Sequence, residues 1–101
     1  PGLRCGALDA LARRIITDAG FGSFFSHRLG HGIGIECHEP PYLVGGNDEV
    51  LRPGMCCTVE PGIYVPGEFG VRIEDVIIVT TDGCAVVRGA LPTDVSPAFA
   101  G

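Results

Sequence analysis

His27-Arg28-Leu29-Gly30-His31-Gly32-Ile33-Gly34-Ile35-Glu36-Cys37-His38-Glu39 is the stretch on which the reading of this chain turns. It holds all three histidines. Glycines at 30, 32 and 34 strip side chains from around His31, which lets other groups approach its backbone closely. In a regular strand His31 and His38, seven residues apart, would face opposite ways. A bend or bulge at the glycines is therefore needed to bring both to one cavity. A single histidine is usually structural; three so close among glycines favour a shared site.

The same stretch divides the texture of the chain. Before it, Ala7, Leu8, Leu11, Ala12, Ile15, Ile16 and Ala19 follow helical spacing, with Asp9, Arg13 and Asp18 mostly on the other side. The spacing predicts an amphipathic helix over 7–19, and Gly20 sits where its left-handed C-terminal turn would fall. After it come short strand-like pieces separated by Gly and Pro. Met55–Glu60 and Val71–Thr80 read as strands, rich in Val, Ile and Thr. Thr81-Asp82-Gly83 reads as a hairpin turn into Cys84–Arg88. Glu39-Pro40-Pro41 and Val44–Glu49 read as loops, and Pro53-Gly54 as a turn. One helix followed by a mostly antiparallel sheet is an α+β architecture, with a face or edge left for something else to cover. Leu91–Gly101, small residues and prolines, reads as a loosely held tail.

At 101 residues the chain makes at most one small domain. With 46% hydrophobic residues and positive mean hydropathy, disorder is not expected. No apolar run approaches the roughly 20 residues of a membrane-spanning helix, so no membrane partner is expected. The net charge of −5, with Arg4, Arg28, Arg52 and Arg88 lying apart, leaves no basic patch for a nucleic-acid backbone. Five cysteines without C-x-x-C spacing, two of them adjacent, read as reduced thiols packed as small apolar residues, and point to a cytoplasmic protein. Pro1-Gly2 runs directly into the helix pattern without an initiator Met, which suggests a cut through a longer polypeptide.

Two carboxylates join the histidines as chemistry-bearing residues. Glu60 ends the strand Met55-Cys-Cys-Thr-Val-Glu60, before Pro61-Gly62. Glu74 lies in Val71-Arg-Ile-Glu-Asp-Val-Ile-Ile-Val79, where alternation would put Arg72, Glu74, Val76 and Ile78 on one face. A buried carboxylate there costs several kcal/mol unless it is paired or bound to metal. The plainer alternative is an Arg72–Glu74 or Arg72–Asp75 ion pair on an edge strand. One His and two Glu on different strands suit a divalent metal that takes oxygen ligands and one imidazole. A second histidine beside it could hydrogen-bond a developing oxyanion.

Taken together, His27-Arg-x-Gly-His31-Gly-Ile-Gly-x-x-x-His38-Glu, Pro53-Gly-Met, Glu60-Pro-Gly-Ile-Tyr64 and Gly70-Val-Arg-Ile-Glu-Asp75 closely resemble the pita-bread metallopeptidases. These include methionine aminopeptidases, Xaa-Pro aminopeptidases, prolidases and the related creatinases. The likeness covers roughly residues 1–88, with the motifs in family order. Val71-Arg-Ile-Glu-Asp75 beside Glu60-Pro-Gly-Ile-Tyr64 resembles the proline-directed branch. The resemblance implies the second half of a pita-bread fold, one helix packed on a curved, mostly antiparallel sheet, with residues 1–90 as the C-terminal half of a catalytic domain. It implies two divalent metal ions, manganese first with cobalt, zinc or iron as alternatives. His31, Glu60 and Glu74 would be ligands, Glu74 bridging both ions and Glu60 also assisting proton transfer. His38 would stabilise the substrate carbonyl, His27 would lie on the proline side, and Arg72 would support the site. The substrate would be a peptide with proline second.

The family also uses two aspartates from its first half. Asp9, Asp18, Asp48, Asp75, Asp82 and Asp94 do not occupy the expected positions. The chain alone is therefore expected to be inactive, and to self-associate or pair with the preceding half. Two alternatives keep the fold: a non-catalytic peptide- or protein-binding module, and a creatinase-like hydrolase that works without metal.

Overall fold

The computed structural model describes residues 1–87. The tail expected over 91–101, and Arg88, lie outside the described residues. The helix α1 spans Cys5–Asp18, opening two residues before the apolar pattern does. Its N-cap, Arg4, makes no side-chain cap. Instead the first free amides of α1 find loop carbonyls: Cys5 N–H donates to Glu49 at 2.8 Å and Gly6 N–H to Asn47 at 2.8 Å. At the other end Gly20, at φ +94°, closes the helix. Gly20 N–H donates to Thr17 and Phe21 N–H to Ile16, the paired bonds of a Schellman stop. A 3-10 turn at Gly22–Phe24 then redirects the chain.

Seven strands follow: β1 Gly30–Gly32, β2 Glu39–Leu43, β3 Cys56–Val59, β4 Gly62–Val65, β5 Phe69–Arg72, β6 Asp75–Val79 and β7 Cys84–Val86. β2-β1-β3-β6-β7 form a five-stranded sheet, and β4-β5 a two-stranded ribbon. All pairings are antiparallel. The architecture is α+β, as expected, but three assignments differ. Glu39-Pro40-Pro41 is the start of an edge strand rather than a loop, since an edge strand tolerates residues without an N–H to donate. Val71–Thr80 is not one strand but parts of β5 and β6, broken at Ile73-Glu74 where the chain passes from ribbon to sheet. The short β4 was masked by the Gly and Pro around it.

The two ladders nevertheless keep one register. Val59 pairs with Asp75 in the sheet and Gly62 with Arg72 in the ribbon. Counting inward from either pair sets Glu60 opposite Glu74 and Pro61 opposite Ile73. The Ile73 N–H to Pro61 carbonyl bond, 3.2 Å, bridges the gap.

The core is Cys5, Phe25, Leu29, Leu43, Leu51, Cys57 and Val79, with Leu8, Ala12, Ile16, Met55, Val59 and Ile77 packed against it. The inner stripe of α1 is thus Cys5, Leu8, Ala12 and Ile16, and it includes Asp9 at only 2% exposure. Asp9 does not lie on the outer side, as the helical pattern suggested. Leu11 and Ile15 face solvent instead, 54% and 62% exposed. The cysteines divide as well. Cys5 and Cys57 are buried and Cys56 half-buried, but Cys37 and Cys84 are exposed, so small-residue packing does not describe all five.

Candidate metal centre

β1 is short and crowded. A Cβ on Gly30 would collide with the Thr58 carbonyl on one side, and one on Gly32 with the Glu39 and Pro40 carbonyls on the other. Glycine lets β2 and β3 close on His31 from both edges. Between His31 and Gly32 the register against β2 shifts, the bulge that the His31–His38 spacing called for. Residues 33–38 turn back beyond it, and the two imidazoles stand 4.3 Å apart, ring centre to ring centre.

His31 is fixed through its own backbone and ring. Its N–H donates to the Thr58 hydroxyl at 3.1 Å, and its Nδ1 lies 2.9 Å from the Gly32 carbonyl. A carbonyl only accepts, so Nδ1 carries a proton and Nε2 is the nitrogen left to face the site. That Nε2 faces Glu60 Oε2 at 3.5 Å, with both side chains largely buried. Glu60 is itself held by its N–H donating to the Leu29 carbonyl at 2.8 Å.

At 3.5 Å the contact is long for a hydrogen bond. The distance does match the roughly 3 to 3.5 Å between donor atoms that share one ion at bond lengths of about 2.1 Å. Across the ribbon stands Glu74, half-buried, a second carboxylate opposite the first. Like charges directly across a ladder repel unless something positive lies between them. The donor set of one imidazole nitrogen and two carboxylates therefore fits a hard-to-borderline divalent cation. Among the described residues, no three His, Cys, Asp or Glu side chains gather closely enough to hold one alone. His31 and Glu60 meet, and Glu74 lies opposite Glu60 in register on the other arm.

The remaining residues singled out from sequence lie around this pair. His38 is exposed, and its ring lies against that of His31 at a tilt of 52°. His27 Nδ1 donates to the Arg28 carbonyl at 2.7 Å, and its Nε2 is buried without a hydrogen-bond partner among the described residues. Its ring sits between Phe25, edge-on at 5.1 Å, and Tyr64 at 5.6 Å. Arg72 ends β5 and is exposed; it forms no ion pair with Glu74 or Asp75 among the described residues. Asp75 Oδ1 is buried and unpartnered there too. Beneath the site, burial pushes the Cys57 thiol up to about 11, with Cys56, Cys5 and Cys84 adding to it. Burial and then Glu49 also raise the Cys5 thiol, against a smaller opposing backbone hydrogen bond.

Sequence reasoning missed Thr58, whose hydroxyl takes the His31 amide, and the Asp9–Arg13 pair. The usable signal for Asp9 was its place inside the Cys5-Leu8-Ala12-Ile16 stripe.

The frame that carries this histidine and the two opposed glutamates is that of a metallopeptidase fold. The chain belongs to metallopeptidase family M24, matched over residues 1–81. Several of its relatives are proline-directed by name. It is 60% identical over 83 residues to the Xaa-Pro dipeptidase of Lactobacillus delbrueckii subsp. lactis, covering 82% of this chain and 23% of that protein. It superposes on the prolidase from Pyrococcus horikoshii with TM-score 0.90 at 44% identity, covering 94% of this chain and 27% of the other. The Xaa-Pro dipeptidase from Bacillus anthracis gives TM-score 0.88 at 53% identity, covering 93% and 26%. The chain spans about a quarter of the length of these relatives, and its fold is that part of their pita-bread fold.

Proposed function

We propose that this chain supplies one wall of a two-metal exopeptidase site, and that the complete enzyme cleaves the bond between an N-terminal residue and proline. The observation that carries the reading is His31 Nε2 facing Glu60 Oε2 at 3.5 Å while Nδ1 is committed to the Gly32 carbonyl. His31, Glu60 and Glu74 would hold the ions. The carboxylate-rich set suits manganese. Bound ions of this kind make water a nucleophile near neutral pH and polarise a carbonyl.

The chain's own residues divide the rest of the work. Glu60 takes the proton of the attacking water and passes it to the leaving imino nitrogen. His38, beside His31, donates to the carbonyl oxygen as charge develops there. His27 presents its free Nε2 toward the proline side, and Arg72 braces the Glu74 arm. The unpaired thiols suit a reducing, cytoplasmic setting. With no aspartate ligands at the family positions, the 101-residue chain alone has little or no activity and needs the preceding half, or a second copy, to complete its surface.

Isothermal titration of the chain with manganese, compared with Glu60→Ala and His31→Ala, tests the reading. Binding that is lost in both variants supports it. Steady Xaa-Pro cleavage by the pure chain, unchanged in Glu60→Ala, would overturn it.

A further inference from the structure

A half-buried ion pair, Asp9–Arg13, lies on the helix, apart from His31, Glu60 and Glu74. Asp9 is 2% exposed, and Arg13, one turn along, bonds it through Nε at 3.3 Å and through a terminal nitrogen at 3.4 Å. A pair at this spacing on a solvent face is worth only a few tenths of a kcal/mol. Here the pair does something else. Arg13 donates to the Phe25 carbonyl at 2.7 Å and to the His27 carbonyl at 2.9 Å, while Asp9 Oδ1 accepts the Leu29 N–H at 2.9 Å. Residues 25, 27 and 29 alternate, as the main-chain groups along one edge of an extended segment do. Two helix side chains thus take the place of a neighbouring strand for Phe25–His27, and at Leu29 Asp9 shares the N–H with the Leu43 carbonyl, 3.0 Å away. The guanidinium also lies over the Phe25 ring at 4.3 Å, and that ring meets the edge of His27.

We infer that Asp9 and Arg13 are positioning residues for His27. By pinning the backbone on both sides of it, they hold the ring where Nδ1–H reaches the Arg28 carbonyl and Nε2 stays buried and unpaired. Only a planar guanidinium spans two carbonyls and a carboxylate at once; a lysine ammonium keeps the charge but not the fork. The catalytic use of this device rests on the proposed function. The device itself does not, and it can be tested apart from activity.

The test is nitrogen NMR of the histidine rings in the full 101-residue chain, with Arg13→Lys and Asp9→Asn as separate variants. In the wild-type chain His27 Nε2 resonates as an unprotonated ring nitrogen. In either folded variant it moves to an averaged position between the two tautomers, while His31, tied to Gly32 and Thr58, does not move. If His27 stays put in a folded variant, or if His27 and His31 shift together, the inference fails. It fails as well if both variants unfold, because the pair would then be carrying the fold and not His27. Loss of the peptidase assignment would leave these resonances unaffected.

Discussion

Glu60 and Glu74 stand opposite one another at the point where a single antiparallel ribbon leaves the five-stranded sheet. Their mutual repulsion costs about 0.2–1 kcal/mol across a ladder. A cation held between them would turn that cost into a gain set by mass action, about 2.7 kcal/mol at a hundredfold excess over Kd. Glu74→Ala should therefore raise Tm by a few degrees in chelator and abolish the further rise that manganese gives the wild-type chain. A manganese-dependent rise that survives in Glu74→Ala would remove Glu74 from the site.

Gly32→Ala sets a methyl group against the Glu39 and Pro40 carbonyls, backbone atoms that cannot rotate away. Overpacking of this kind costs about 1–3 kcal/mol. The expected result is a lower urea midpoint together with loss of the His31–His38 ring contact, read from their proton cross-peaks. An unchanged midpoint would mean that β2 can retreat from β1 without penalty.

The Cys57 thiol, ordinarily titrating near 9.0, is held neutral up to about 11 in the folded chain. The unfolded chain gives up that proton first, so the contribution is complete below pH 9 and is lost as pH rises toward 11. It amounts to roughly 2–3 kcal/mol. Chemical unfolding at pH 8 and pH 10.5 should show the loss, and Cys57→Ser should flatten it. At pH 8 an alkylating reagent should modify exposed Cys37 and Cys84 while Cys5 and Cys57 resist it.

Leu11 and Ile15 form an exposed apolar strip on the outside of α1. Concentrated chain is expected to self-associate through surface of this kind. Sedimentation equilibrium should show a dimer for the wild type and a shift toward monomer for Leu11→Glu/Ile15→Glu, with the helical signal kept. An identical profile for both proteins would place the contact elsewhere.

Elements whose pattern is local were legible in the sequence. The Ile, Leu and Ala spacing gave α1, the β-branched run gave β3 and β6, and Thr81-Asp82-Gly83 gave the turn into β7. The register shift at His31–Gly32 was also foreseeable, since bringing His31 and His38, seven residues apart, to one side needs a bend or bulge at the glycines. Features set by a distant partner were not legible. Pro40 and Pro41 look like loop residues until the strand they join proves to be an edge. Asp9 and Arg13 look like a solvent pair until Phe25–Leu29 is laid against them. The facing of Glu60 and Glu74 depends on a register that only the folded ribbon sets.

That shared register governs how the molecule can be lengthened. The arms β4 and β5 turn back through Pro66, Gly67 and Glu68, with Glu68 N–H donating to Val65. Residues added in matched pairs on the two arms, or in any number within this turn, leave the two carboxylates facing each other. A single residue added to one arm between Glu60 and the tip would displace one glutamate against its partner unless a bulge absorbed it. The tip is thus the natural graft point for a longer loop or a reporter, and the base of the ribbon is where the chain is least forgiving of insertion.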